Sequence, residues 1–153
     1  GHGRGSLQLI NSTVTKMTRA SRILRPRGSK VIIQKNIFID SKGFLFGDNS
    51  LNQGISIINN RFVSKYAGTG SWIETKWIES GMTIRNNSFL SEGIAISVGE
   101  AYQGNNIDLS NNYWGTTSTQ VIDGKIEDYN DKITLAGPLN YQPFLTEPHP
   151  DTP

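Results

Sequence analysis

The sequence predicts an all-β chain, a solenoid of about five stacked coils closed by a short C-terminal capping helix. Three observations predict it. One short phrase recurs along most of the chain. The composition is rich in Ile, Asn, Gly and Ser and only 35% hydrophobic, which favours strands and turns over helices. Apolar residues inside each copy alternate with a period of two, and the copies are too short for helices.

Residues 1–6, Gly-His-Gly-Arg-Gly-Ser, read as a cloning scar and stand outside the fold argument. The coils are expected over 7–115. A degraded copy of the phrase comes first, Leu9-Ile-Asn-Ser12-Thr-Val14. Four clean copies follow: Ile33-Gln-Lys-Asn36-Ile-Phe38, Ile57-Ile-Asn-Asn60-Arg-Phe62, Ile84-Arg-Asn-Asn87-Ser-Phe89 and Leu109-Ser-Asn-Asn112-Tyr-Trp114. Positions 12, 36, 60, 87 and 112 are separated by 24, 24, 27 and 25 residues. A chain of strands and turns that returns to one place at this period stacks equivalent residues on one another. Phe38, Phe62, Phe89 and Trp114 are then an inward aromatic ladder, and Ile33, Ile57, Ile84 and Leu109 an aliphatic one. Asn36, Asn60, Asn87 and Asn112 fall where the chain bends. They are expected to take left-handed backbone angles and to bond amide to amide between coils.

A further strand follows each phrase, at Gly43-Phe-Leu-Phe46, Ser71-Trp-Ile-Glu74 and Gly93-Ile-Ala-Ile-Ser-Val98. The linking turns differ in length, as a solenoid's loops may. Gly28, Gly54, Gly81 and Gly104 precede the next coil, where a tight return is needed. Residues 116–146 form the expected cap. Ile122, Ile126 and Tyr129 have helical spacing behind Thr117, Ser118 or Thr119 as N-cap. Ile133–Leu135 and Leu139–Tyr141 read as short strands. Residues 147–153 are Pro-rich and expected to fray. The N-terminal end has no comparable cap, so upstream coils or a second copy are expected against it.

The ending resembles the last coils of right-handed parallel β-helix proteins of the pectate-lyase-like superfamily. The residues that carry the resemblance are Asn112-Tyr113-Trp114-Gly115, the acidic turn Ile126-Glu-Asp-Tyr-Asn-Asp131 and the closing Tyr141-Gln-Pro-Phe-Leu145. The resemblance covers residues 7–146. It implies a right-handed parallel β-helix and, broadly, a polysaccharide as partner. It does not imply one activity, because the superfamily spans lyases, hydrolases, epimerases, tailspikes and non-catalytic adhesins.

With no cysteine, and only His2 and His149 near the two ends, thiolate and imidazole chemistry have no basis here. No apolar run is long enough for a membrane span. Hydrolysis of a glycan needs two carboxylates about 5–10 Å apart, which suits positions one or two coils apart at roughly 4.8 Å per coil. The column two residues beyond each aromatic reads Asp40, Ser64, Ser91, Thr116. The next reads Ser41, Lys65, Glu92, Thr117. Neither pairs two carboxylates.

Three groups remain as candidates. Trp72, Trp77 and Tyr66 suit stacking on pyranose rings, although Trp72 or Trp77 could equally belong to the core. The basic residues Arg19, Arg22, Arg25, Arg27 and Lys30 suit an acidic glycan, with a solvated face as the plainer account and no nucleic-acid module around them. The group Glu127, Asp128, Asn130 and Asp131 is dense enough in oxygen for calcium, but has neither the glycine nor the distal Glu of a dedicated calcium loop. A solvated turn explains it as well. Calcium is therefore the one cofactor to test. Basic residues crowd the first 45 positions and acidic ones the last third, so the chain is electrically polarised. The expected function is an extracellular or surface module that binds polysaccharide without acting on it. The C-terminal segment of a polysaccharide lyase or hydrolase, and a structural stalk or oligomerisation module, are the alternatives.

Overall fold

The computed structural model describes residues 6–19, 21–24, 30–47, 54–64, 72–75, 82–99, 107–135 and 137–153. Within them the chain visits three sheets in turn. The first sheet contains β1 (Ser6–Ile10), β4 (Lys30–Gln34), β7 (Ile55–Ile58), β10 (Met82–Arg85) and β13 (Ile107–Asp108). The second contains β2 (Thr13–Thr15), β5 (Ile37–Ile39), β8 (Arg61–Val63) and β11 (Ser88–Phe89). The third contains β3 (Ser21–Leu24), β6 (Phe44–Gly47), β9 (Ile73–Thr75), β12 (Ile96–Val98) and β14 (Ile126–Glu127). Every strand pairs in parallel with its equivalent one circuit away. The fold is therefore all-β, with parallel strands in stacked sheets.

Period-two alternation decides what points inward. Ile33, Ile57 and Ile84 share one register and are buried, as is Leu109 beyond β13. Phe38, Phe62, Phe89 and Trp114 stack at centroid distances of 5.0, 5.1 and 5.0 Å. Phe44 meets Phe38 edge-on at 5.3 Å, so the third sheet closes against the second through aromatic contact.

The corner between the first and second sheets repeats in every circuit. Its left-handed residue is not the ladder asparagine but the residue before it: Asn11, Lys35, Asn59, Asn86 and Asn111, with φ of 53–57°. This corrects the sequence expectation, and the reason is side-chain direction. The left-handed residue turns the chain, and the residue after it then points its amide into the stack. Asn36 N and Nδ2 both donate to Asn60 Oδ1, at 3.1 and 2.9 Å. Asn60 repeats this onto Asn87, and Asn87 onto Asn112. The free Nδ2 hydrogens reach backward to Leu9, Ile33, Ile57 and Ile84 carbonyls. Each buried amide is thus satisfied by the circuits on both sides. Asn112 has no following asparagine, and its Nδ2 turns to Leu109 O at 2.9 Å.

The cap differs from expectation in three ways. The helix α1 spans only Thr119–Asp123, because Gly124 N closes back on Gln120 O and Ile126 joins the third sheet as β14. Ser118 occupies the N-cap without a side-chain bond. Ile133–Leu135 is a turn with Ile133 exposed, whereas Asn140 and Leu145 bridge to Asp108 and Tyr113. Tyr141 then covers Trp114 edge-on at 6.5 Å. The Pro-rich end is tied down rather than frayed at one point, where Thr152 Oγ1 donates to Asn86 O at 2.6 Å. Among the described residues no helix is long and apolar enough to cross a membrane.

Candidate functional site

The outward positions of the third sheet form a straight column. Register places Arg22 against Leu45, Leu45 against Glu74, Glu74 against Ser97, and Ser97 against Glu127. Their neighbours Phe44, Phe46, Ile73, Thr75, Ile96, Val98 and Ile126 are buried, so the alternation of the strands leaves the column on the outer face. Glu74 and Glu127 sit two strands apart, about 9–10 Å along the stacking direction by ordinary strand spacing. Ser97 lies between them.

Glu127 is held firmly. Ser97 Oγ donates to its Oε2 at 2.8 Å, and Lys132 Nζ pairs with its Oε1 at 2.5 Å. The Lys132 bond, then the Ser97 bond, lower its pKa, so it stays ionised. Lys132 is raised in turn by the same contact. The arrangement is a line of hydrogen-bond acceptors, one hydroxyl and one aliphatic side chain on a flat sheet. Glu127 is suited to accept hydrogen bonds or a proton, not to serve as a general acid.

Sequence reasoning missed this column because it counted residues from the aromatic ladder. Phe38 to Leu45, Phe62 to Glu74, Phe89 to Ser97 and Trp114 to Glu127 are four different distances along the chain. The signal was present in the alternation of the later strands, each aligned on its own buried residues.

The candidates singled out from sequence separate. Trp72 is a core residue, 2% exposed, with its ring 5.3 Å from Phe62 and its Nε1 donating to Ser91 Oγ. Its backbone carbonyl accepts Phe44 N at 2.7 Å, and a Cβ on Gly43 would lie 1.8 Å from that oxygen. Trp72 therefore has no ring face to offer a sugar, which corrects the expectation for it. Tyr66 and Trp77 lie outside the described residues; in the sequence they flank β9. Arg19 and Lys30 are exposed near the first circuit, Arg22 lies on β3, and Arg25 and Arg27 lie outside the described residues.

Of the calcium candidates, Asp128, Asn130 and Asp131 line a pocket of about 340 Å³ together with Asp123 and Tyr141, and Glu127 does not. The carboxylates of Asp128 and Asp131 already serve the backbone. Asp128 is buried, and its carboxylate accepts Asn130 N at 2.9 Å and Leu139 N at 2.7 Å. Asp131 Oδ2 accepts Asp128 N at 3.0 Å. Among the described residues no three acidic or histidine side chains gather as a metal site. The geometry makes Asp128 the tie between β14 and the closing segment.

Lys125 was not singled out from sequence. Its ammonium is buried and donates to the carbonyls of Phe89, Ser91 and Trp114 at 3.2, 2.8 and 2.9 Å. Burial lowers its pKa, opposed by nearby Glu92. All three donors are used, so the lysine is a pin between two circuits and the cap.

No family model, curated protein or solved structure matches the chain.

Proposed function

We propose that the chain is a right-handed parallel β-helix of the pectate-lyase-like kind that binds polysaccharide outside the cell or at its surface, without cleaving it. Parallel strands that return to the same three sheets support the β-helix reading, and crossovers between parallel strands are right-handed in about 98% of cases. The observation that carries the binding reading is the column Leu45, Glu74, Ser97 and Glu127 on the outer face of the third sheet. A polymer of sugars offers hydroxyls at regular intervals to carboxylates and a serine, and C–H faces to Leu45. The sequence on either side of β9 holds Tyr66 and Trp77, residue types on whose rings sugars stack.

The test is a pull-down with insoluble polysaccharides and a glycan array. The double variant Glu74→Ala, Glu127→Ala should weaken binding at least tenfold, about 1.4 kcal/mol. Trp77→Ala should weaken it further. An array on which the folded wild type binds no glycan ends this reading. The two-strand separation of Glu74 and Glu127 favours a second reading, the C-terminal part of an inverting hydrolase, whose carboxylates stand about 6.5–9.5 Å apart. Release of reducing ends that disappears in Glu74→Gln would establish it.

A further inference from the structure

Among the described residues Lys125 is the one buried lysine. Its ammonium has three protons and meets three backbone carbonyls, of Ser91 at 2.8 Å, Trp114 at 2.9 Å and Phe89 at 3.2 Å. All three oxygens are neutral, so carbonyl dipoles hold the charge. Glu92, whose carboxylate acts on the ammonium from nearby, is exposed.

Each carbonyl is placed by something other than the lysine. Phe89 lies on β11 in register with Phe62. Trp114 is the next rung of the aromatic ladder, 5.0 Å away between ring centroids. Ser91 is held through its Oγ, which accepts Trp72 Nε1 at 3.1 Å. The stack therefore builds the cradle, and the cap brings the lysine to it. The Lys125 backbone is fixed separately, with its N–H donated to Ile122 O and its carbonyl accepting Ala95 N and Ile96 N. Beside the cradle lies a crevice of about 460 Å³, lined by Leu90, Ser91, Glu92, Thr116, Val121 and Lys125 among others.

We propose that the carbonyls of Phe89, Ser91 and Trp114 are a site for a monovalent cation, which this chain fills with its own lysine. Carbonyl oxygens held in place can replace the hydration shell of a potassium ion. A free ammonium ion makes the same three N–H···O bonds as the lysine head. Sodium is smaller and fits three fixed oxygens at this spacing less well. With the lysine shortened, the crevice admits the ion and the waters that complete its shell. The cap is then locked to the last circuits by a charge, not by the length of a lysine stem. The inference is independent of glycan binding.

Thermal unfolding of the whole chain, followed by circular dichroism in sodium, potassium and ammonium chloride at equal ionic strength, tests it. Lys125→Ala opens the site. It should melt below the wild type in sodium chloride. Potassium or ammonium should raise its melting temperature along a saturating curve, by about 3–5 °C at ten times the dissociation constant. Lys125→Met keeps the stem but ends it without a charge, and should melt low in all three salts. The wild type corrects for general salt effects. If Lys125→Ala is unfolded in sodium chloride, the readout is recovery of the wild-type spectrum in ammonium chloride. An alanine variant that neither potassium nor ammonium restores overturns the proposal. So does a methionine variant as stable as the wild type, because the charge is then not needed, and so does equal restoration of both variants.

Discussion

The corner between the first and second sheets and the passage between the second and third are built on opposite rules. At the corner every circuit has the same length, a left-handed residue at the same position and, from the second circuit on, the same buried asparagine. In the passage the chain runs from Ile39 to Phe44, from Val63 to Ile73 and from Phe89 to Ile96, a different length each time. The corner is inside, and each amide there is bonded on both sides, so one extra residue would orphan several buried groups. The passage touches solvent at Glu92 and Gly93 and has room for change. One region holds the circuits in step. The other sets what the outer face of the third sheet displays.

Asn60→Ala should break the first half of this contrast most severely. Its side chain accepts from Asn36 N and Nδ2 and donates to Ile33 O, Ile58 O and Asn87 Oδ1. Removing it leaves at least two buried groups without partners, at about 1–3 kcal/mol each, so urea denaturation should show a loss of about 3–5 kcal/mol. A loss below about 1 kcal/mol would mean that the ladder is ornament on an aromatic core. The second half is sharpened by inserting one glycine between Glu92 and Gly93. Lengthening an exposed loop costs little entropy, and the denaturation midpoint should shift by less than about 1 kcal/mol equivalent. A large loss there would make the passage as constrained as the corner.

The smallest effect belongs to Glu127. Its pKa is lowered in the folded chain, so the stability it contributes is in place above the unfolded carboxyl value of about 4.3 and is lost as pH falls through the lower folded value. The pair with Lys132 faces water, so screening keeps its contribution small. Glu127→Gln should lower the melting temperature slightly at pH 7, with a smaller deficit at pH 3. An equal deficit at both pH values would assign the effect to packing instead of charge.

The corner was readable in the sequence because its spacing is nearly constant: Asn36, Asn60, Asn87 and Asn112 announce themselves. The column was not, because variable passages shift Glu74 and Glu127 by different amounts from Phe62 and Trp114. Two misplacements have local causes. Left-handed angles were expected at the ladder asparagines, yet Lys35 shows that the turn occurs one residue earlier and accepts a lysine. The sequence predicts a capping helix through Ile126, but the strand edge at β12 offers that residue parallel partners, and the chain leaves the helix at Gly124 to take them. Trp72 was ambiguous in sequence since a tryptophan suits both a core and a sugar platform. Its burial against Phe62 and the bond from its Nε1 to Ser91 separate the two.

The ladder also says something about ancestry and length. Each interior asparagine bonds to the circuit before, the circuit after and otherwise only within its own, and every interior link between circuits is the same link. A gene that lost residues 60–86 would bring Asn87 against Asn36, which is the contact Asn60 makes now. A gene that duplicated them would add a storey without altering any neighbour's chemistry. Unequal recombination at these codons is therefore structurally silent in the interior, and relatives of this chain are free to differ in height while sharing a cross-section.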